Sequence, residues 1–136
     1  MAYDDAGSGP AVIFIHGYPF NRSLWAEQAE ALSEKYRVVT PDLRGFGESD
    51  SSEGPSTMDR MAQDIARLMD HLGIQQAVIA SLSMGGYVAL AFTKQFPSRV
   101  KALVLADTRA QGDSDEAKQT RAQQAEKALS EGMAGI

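Results

Sequence analysis

The sequence AVIASLSMGGYVAL, which occupies Ala77–Leu90, changes character in its middle. Its first part is a short apolar run with β-branched residues, which is typical of a strand buried on both faces of a sheet. Its last part places apolar residues at helical spacing. Between the two lies Ser83, with the small residues Ser81 and Gly85 two positions away on either side. This layout predicts a nucleophile elbow, a sharp strand-to-helix turn that holds a serine hydroxyl above the edge of a sheet.

The turn departs from the usual G-x-S-x-G pattern at one position. Ser81 stands where the first glycine is usual, and Gly85 supplies the second. Because a serine adds only a hydroxymethyl group, we expect crowding at the turn rather than its loss. A strand, a turn of small residues and a helix also form βα units that bind phosphate at a helix N-terminus. On this stretch alone, that alternative stays open.

The composition is that of an ordinary globular domain. The chain has 136 residues, enough for one domain with a single core, and we find no repeat or domain boundary within residues 1–136. Its net charge of −5 argues against nucleic-acid binding, because phosphate contacts need a basic surface. No apolar run approaches the roughly 18 residues of a membrane span. Since no leader segment is recognisable, we expect a cytoplasmic protein.

The inventory of reactive side chains is small. The chain has no cysteine, which excludes disulfides, thiolate chemistry and cysteine-ligated metals. It has only two histidines, His16 and His71. Because no set of ligands for a metal or an organic cofactor is recognisable, we predict neither.

Strands and helices alternate along the chain. The other predicted strands are Ala11–Ile15, Tyr36–Thr40 and Lys101–Ala106. The first predicted helix begins at Asn21 or Ser23 and reaches about Lys35. A second helix begins at Thr57 and is stopped by Gly73, and a polar helix is predicted over residues 111–132. The first ten residues show no strand pattern.

Near-continuous apolar strands that alternate with helices predict an α/β fold. We expect a three-layer sandwich around a short parallel sheet of about four strands. Open α/β sheets place their sites at the carboxyl ends of the strands. In this chain that edge collects four polar residues, namely His16, Asp42, Ser83 and Asp107.

Three motifs follow one another in the order and at the separations of one known family. They are His16-Gly17-Tyr18-Pro19, the run PDLRGFGES at Pro41–Ser49, and the elbow sequence SLSMGG at Ser81–Gly86. With these motifs the chain resembles the α/β-hydrolase family, in particular its branch of esterases, cofactor-free haloperoxidases and carbon–carbon bond hydrolases. The resemblance covers essentially the whole chain.

The resemblance implies roles for residues at the predicted sheet edge. Ser83 would be the nucleophile, and the backbone N–H groups of Tyr18 and Met84 would form the oxyanion hole. The loop Pro41–Ser49 would be a structural element beside the site. Asp107 would be the acid of the catalytic triad, or else a strand-end carboxylate that caps the next segment.

The resemblance also implies what this sequence does not contain. Family members are longer and place their catalytic histidine near the C-terminus, so we expect a truncated α/β-hydrolase core without the opening hairpin and without that histidine. His16 is a candidate general base, although its motif also explains it as a brace of the oxyanion loop. His71, beside Asp70 at a helix end, is better explained by the helix dipole. Because a serine without a base is a poor nucleophile, we expect weak activity.

The strand order of the family has a consequence for assembly. The strands Tyr36–Thr40 and Lys101–Ala106 would each lack a neighbour, and an edge with unpaired N–H and C=O groups recruits partners. We therefore expect a homo-oligomer that forms through an exposed sheet edge or through the helix Gly112–Glu131.

Two functional hypotheses of different classes follow. The first, which the intact elbow and oxyanion loop favour, is a cofactor-free serine hydrolase that acts on short carboxylic esters. The second is a non-catalytic, self-associating, truncated or engineered half of a hydrolase fold. A phosphate-binding module is disfavoured, because neither G-x-G-x-x-G nor a P-loop lysine is present.

Overall fold

The computed structural model describes residues 1–51 and 53–132. Ser52 and the last four residues of the predicted domain, 133–136, lie outside the described residues. The described strands are β1 (Tyr3–Ala6), β2 (Ala11–Ile15), β3 (Arg37–Pro41), β4 (Ala77–Leu82) and β5 (Val100–Ala106). The described α-helices are α1 (Ala26–Leu32), α2 (Met58–His71), α3 (Met84–Gln95) and α4 (Asp115–Glu131). Short 3-10 helices occupy Arg22–Trp25 and Pro97–Arg99.

The strands form one mostly parallel sheet with the order β1-β3-β2-β4-β5. Strands β2, β3, β4 and β5 are mutually parallel, while β1 runs antiparallel to β3. In the register of the sheet, Ile13 at its centre lies between Val39 and Ile79. All three side chains are fully buried, as strands covered on both faces require. The predicted α/β class is confirmed.

Helices cover both faces of the sheet and complete three layers. On one face, α2 and α3 contribute Ile65 and Phe92 to the large core that contains Ile13. On the other face, α1 packs over a smaller cluster around Phe14, whose ring lies 4.8 Å from that of Trp25. The predicted three-layer sandwich is therefore present.

The strand β1 corrects two predictions. The sequence analysis found no strand before Ala11 and counted about four strands, but Tyr3–Ala6 pairs with β3 in the register Tyr3↔Pro41. Only Tyr3 in this strand is even partly buried, so β1 carries no apolar pattern that reveals it. An ion pair of 2.7 Å between Arg37 and Asp5 joins the two strands. Since β1 covers β3, the prediction that this strand lacks a neighbour is wrong.

The helix boundaries follow local capping chemistry. Asn21 accepts a hydrogen bond from the amide of Ser23 at 2.9 Å, which confirms the predicted start. That helix opens as a 3-10 turn and its α-helical part ends at Leu32 instead of Lys35, because the chain then bends into β3. Thr57 caps α2 through the amide of Arg60, and Gly73 follows its end with a φ of 67°.

The far side of the sheet is its exposed edge. Within the residues that the structure describes, β5 pairs with β4 alone, and its Val104 and Leu105 are 53% and 44% exposed. The polar helix α4 follows and contains no buried residue; its Leu129 is exposed. Among the described residues, none of the helices has the length and apolar character that crossing a membrane requires.

Candidate active site

Ser83 lies at the turn between β4 and α3, where the sequence predicts a nucleophile elbow. Its φ of 51° and ψ of −114° lie in a region that non-glycine residues rarely occupy. Such a conformation costs about 1–3 kcal/mol and persists only when the surroundings hold it. Three hydrogen bonds do so here: the Ser83 amide donates to Ala106, and its carbonyl accepts from Gly86 and from Thr108.

Small side chains around the turn allow β4 and α3 to approach the rest of the sheet. A Cβ atom on Gly85 would overlap the carbonyl oxygen of Ile15 and lie 2.7 Å from that of His16. Ser81 is 1% exposed, and its hydroxyl donates a hydrogen bond of 3.2 Å to the carbonyl of Val104 on β5. The turn is therefore kept, and the hydroxymethyl group of Ser81 fits without the expected crowding.

The residues predicted to supply the oxyanion donors lie beside Ser83. A Cβ atom on Gly17 would lie 3.2 Å from the Cβ of Ser83, so the loop that carries Tyr18 passes directly against the elbow. Met84 is the first residue of α3, and its amide therefore has no acceptor within the helix. Tyr18, Ser83 and Met84 line one cleft of about 530 Å³.

His16 is held by the backbone through both of its ring nitrogens. Its Nε2 accepts a hydrogen bond of 3.0 Å from the amide of Leu43, which leaves Nδ1 to donate to the carbonyl of Gly17 at 3.0 Å. Burial lowers the pKa of this imidazole, although the hydrogen bond to Gly17 and the charge of Asp42 oppose that effect. The geometry matches a brace of the oxyanion loop and leaves no ring nitrogen for Ser83.

His71 lies apart from the elbow. It is exposed in the last turn of α2, and its ring contacts that of Tyr3 edge to face at 6.4 Å. It lines a separate groove of about 420 Å³ together with Arg44 and Asp64. Neither histidine of the chain is therefore among the residues that line the concave surfaces at Ser83.

Asp107 follows β5 at the same edge of the sheet as Ser83. Its φ of 43° lies in the left-handed region, so the chain turns sharply at this exposed residue. Asp107 and Ser83 line a second hollow of about 320 Å³, which also includes Tyr87 and Arg109. The structure thus brings together the predicted nucleophile and the predicted acid.

The loop Pro41–Ser49 is organised by the buried carboxylate of Asp42. This carboxylate accepts hydrogen bonds from the amides of Arg22 and Glu48 at 2.7 and 2.9 Å, and it forms an ion pair with the Arg22 guanidinium. Burial acts to raise the pKa of Asp42, but these donors together hold it below its usual value. The predicted structural role of the loop agrees with these contacts.

Several residues that line the cleft were not predicted from the sequence. They come from α2, α3, α4 and the segment between β5 and α4, namely Met58, Tyr87, Gly112, Asp113 and Arg121. The only local signal is at Tyr87, which lies four residues after the nucleophile and therefore on the same face of α3. The residues of α4 carry no such signal, because their contact with the elbow is set by the path of the chain between β5 and α4.

Two arginines and one aspartate form a connected group at the rim of the cleft. Asp113 accepts a hydrogen bond of 2.9 Å from Arg109 and one of 2.6 Å from Arg121. Arg109 also donates to the hydroxyl of Tyr87 at 3.3 Å. Hydrogen bonds from Arg121 and then Arg109 lower the pKa of the Asp113 carboxyl. Across residues 1–51 and 53–132, no cluster of three or more potential metal ligands occurs.

Comparison with known proteins agrees with this geometry. A family model described as alpha/beta hydrolase fold matches residues 10–131. The chain belongs to the α/β-hydrolase family. This member of the family is 37% identical to 3-oxoadipate enol-lactonase 2 of Acinetobacter baylyi over 114 residues, which are 84% of the chain and 43% of that enzyme. It is 44% identical to epoxide hydrolase 2 of Siraitia grosvenorii over 101 residues, 72% of the chain and 32% of that enzyme.

The solved structures include a similar α/β hydrolase over nearly the entire chain. A thermophilic esterase from Thermogutta terrifontis superposes with a TM-score of 0.96 and 47% sequence identity, covering 99% of this chain and 50% of that one. The chain therefore spans half or less of the length of these α/β hydrolases.

Proposed function

We propose that this α/β hydrolase is a serine hydrolase that acts on short carboxylic esters, with Ser83 as its nucleophile. The observation that carries the proposal is the strained backbone of Ser83 in a cleft that it shares with Tyr18 and Met84. A hydroxyl held at the tip of an elbow, with two amides beside it, suits addition to a carbonyl carbon.

The proposed reaction uses these groups in sequence. The Ser83 oxygen bonds to the carbonyl carbon, and the amides of Tyr18 and Met84 stabilise the charge that develops on the carbonyl oxygen. Collapse of this intermediate expels the alcohol and leaves an acyl group on Ser83, which water then removes. Asp107 is the proposed acidic member of the catalytic triad. We do not propose His16 as the base, because the backbone occupies both of its ring nitrogens.

Without an imidazole at Ser83, the hydroxyl proton passes to solvent and the rate is expected to be low. Triads that lack one member still retain roughly 10³- to 10⁴-fold catalysis over water, which comes from the oxyanion hole and from binding. Weak esterase activity is therefore compatible with the described residues alone.

The names of the similar proteins favour carbonyl substrates. They include a thermophilic esterase and an enol-lactonase, whose names refer to hydrolysis of open-chain or cyclic esters. An epoxide hydrolase is also similar. The two backbone donors proposed beside Ser83 suit a carbonyl oxygen, so we place esters first.

The test is the rate at which the 136-residue chain hydrolyses 4-nitrophenyl acetate, compared with its Ser83→Ala variant. We expect the wild type to be at least about tenfold faster, which corresponds to about 1.4 kcal/mol of transition-state stabilisation. Ser98→Ala is the matched control, since Ser98 is exposed in the 3-10 helix after α3. Equal rates for wild type and Ser83→Ala would refute the proposal.

A second candidate function is assembly without catalysis. We propose self-association through the open edge of β5, where Val104 and Leu105 are exposed and β4 is the one neighbour within the described residues. Light scattering at micromolar concentration should then report an oligomer that Val104→Lys dissociates. A monomeric wild type would refute this candidate and leave the hydrolase proposal intact.

A further inference from the structure

The rim of the Ser83 cleft carries charged side chains to which the proposed reaction assigns no role. Asp113 and Arg121 line the cleft together with Ser83, and Arg109 lines the adjoining hollow. Tyr87 lines both concave surfaces and accepts a hydrogen bond from Arg109. Asp113 and Arg121 therefore border the cleft that a substrate bound at Ser83 would fill, and Arg109 borders the hollow next to it.

The charged groups of this rim are exposed to different degrees. Asp113 is 17% exposed and accepts hydrogen bonds from both guanidinium groups, whose side chains are 55% and 64% exposed at Arg109 and Arg121. One carboxylate thus contacts two guanidinium groups. Asp107 lines the hollow beside Arg109, so the two concave surfaces together carry two carboxylates and two guanidinium groups.

Arg121 has N–H donors that make no hydrogen bond among the described residues. It donates to Asp113 through Nε at 2.6 Å. Within the part of the chain that the structure describes, its two terminal nitrogens donate to no other group. A guanidinium presents its N–H groups as a planar fork that matches the two oxygens of a carboxylate. Asp113 holds this fork in place from one side and leaves the other side open.

We infer that the rim binds a carboxylate on the substrate, so that the cleft selects esters that carry a free acid at the end remote from the reacting carbonyl. This inference rests on the proposed function in taking the reacting group of the substrate to be an ester. The group that binds the substrate carboxylate is Arg121, which does not depend on that proposal. Two carboxylates oppose this binding: Asp113 lines the cleft itself and Asp107 lines the adjoining hollow. Both guanidinium groups donate to Asp113, which offsets its charge. Because Arg121 is largely exposed, the preference should weaken as salt screens the charge.

The kinetic test compares 4-nitrophenyl hydrogen adipate with 4-nitrophenyl hexanoate, which have the same acyl length and differ in the terminal carboxylate. We expect Arg121→Gln to lower the ratio of their kcat/KM values by about fivefold to tenfold, which is less than a buried charge-assisted hydrogen bond would give, because Arg121 is largely exposed. Lys127→Gln removes the same charge from the same helix, outside the lining of the cleft, and should leave the ratio unchanged. Asp113→Asn should raise the ratio, a direction that loss of structure would not produce.

A binding test makes the inference independent of catalysis. Adipate and hexanoate are titrated into Ser83→Ala, with and without Arg121→Gln, and amide chemical shifts are followed by NMR. We expect tighter binding of adipate that is lost with Arg121→Gln.

The outcomes separate the two proposals. Hydrolysis could depend on Ser83 while Arg121→Gln leaves the substrate ratio unchanged. This result would overturn the inference that Arg121 binds a substrate carboxylate and would leave the esterase proposal standing. If adipate binding depends on Arg121 but no hydrolysis depends on Ser83, the carboxylate site stands and the esterase proposal is refuted. Equal binding of adipate and hexanoate overturns the inferred carboxylate site, whether or not Ser83-dependent hydrolysis is found.

Discussion

The hydroxyl of Thr108 donates a hydrogen bond of 2.8 Å to the backbone carbonyl of Ser83. The same carbonyl accepts from the amide of Gly86 at 2.9 Å, so both of its lone pairs are used. Thr108 directly follows Asp107 at the end of β5, and the bond therefore ties the neighbouring strand to the elbow. Thr108 therefore helps to hold Ser83, the proposed nucleophile, in its unfavourable backbone conformation.

Replacing Thr108 by valine removes this hydrogen bond while keeping the shape of the side chain. We expect a loss of about 1 kcal/mol in the free energy of unfolding and a threefold to tenfold lower kcat with little change in KM. Thr108→Ser should restore most of the rate. Thr93→Val is the control, because Thr93 makes a comparable 2.8 Å bond to the carbonyl of Ala89 within α3. Equal effects of Thr108→Val and Thr93→Val on kcat would show that Thr108 does not position Ser83.

A methyl group at Gly85 should destabilise the fold. The new Cβ would overlap the carbonyl of Ile15, so α3 or β2 must move, and overpacking of this kind costs about 1–3 kcal/mol. Gly112→Ala is a matched control, since a Cβ there meets no atom within 4 Å. The measurement is urea unfolding monitored by circular dichroism, and equal midpoints for the two variants would contradict the close packing.

His16 should make stability depend on pH below neutrality. Its pKa in the folded chain is lowered from 6.5, so the unfolded chain binds the proton first as the pH falls. The contribution of the neutral imidazole is fully present above pH 6.5, and it is lost below that value at up to about 1.4 kcal/mol per pH unit.

The slope should persist in His71→Gln and vanish in His16→Gln, as urea unfolding between pH 5 and 8 would show. His16→Gln should also lower stability by about 1–3 kcal/mol, because it disturbs the bond from the amide of Leu43. A slope that disappears with His71 instead would contradict the assignment.

The ion pair between Asp42 and Arg22 should be essential to the fold, because the Asp42 side chain is completely buried. Asp42→Ala leaves Nη1 of Arg22 and the amides of Arg22 and Glu48 without this acceptor, although Asp4 and Glu48 still pair with the guanidinium. We expect a loss of about 3 kcal/mol. Asp115→Ala, at an exposed pair with Lys118, should cost less than about 1 kcal/mol. Because the pKa of Asp42 is lowered in the fold, its contribution is present at neutral pH and is lost as the pH falls below 3.8.

Local chemistry made the elbow readable from the sequence. A buried strand, a serine and a helix that begins with two glycines in its first turn all lie within Ala77–Leu90, so this one stretch contains the whole turn. The amides of Tyr18 and Met84 followed from motifs that are equally local, and the structure places both residues in the cleft with Ser83. The structural role of the loop around Asp42 was also anticipated, although its partner Arg22 was not.

What the sequence did not reveal depends on contacts between distant segments. The strand β1 is mostly exposed and is defined by its pairing with β3, so its residues show no apolar alternation. Arg109, Asp113 and Arg121 belong to a polar run that is typical of a solvated helix, and only the fold brings them to Ser83. The backbone partners of His16 likewise come from another loop.

The most direct measurement of the central claim is the covalent acyl-enzyme. The chain is incubated with 4-nitrophenyl acetate, quenched in acid, and analysed by intact-mass spectrometry and peptide mapping. The account predicts one acetyl group on Ser83 that is absent in Ser83→Ala and unaffected in Ser98→Ala. Acetyl groups found on lysines alone, with the same pattern in wild type and Ser83→Ala, would contradict it.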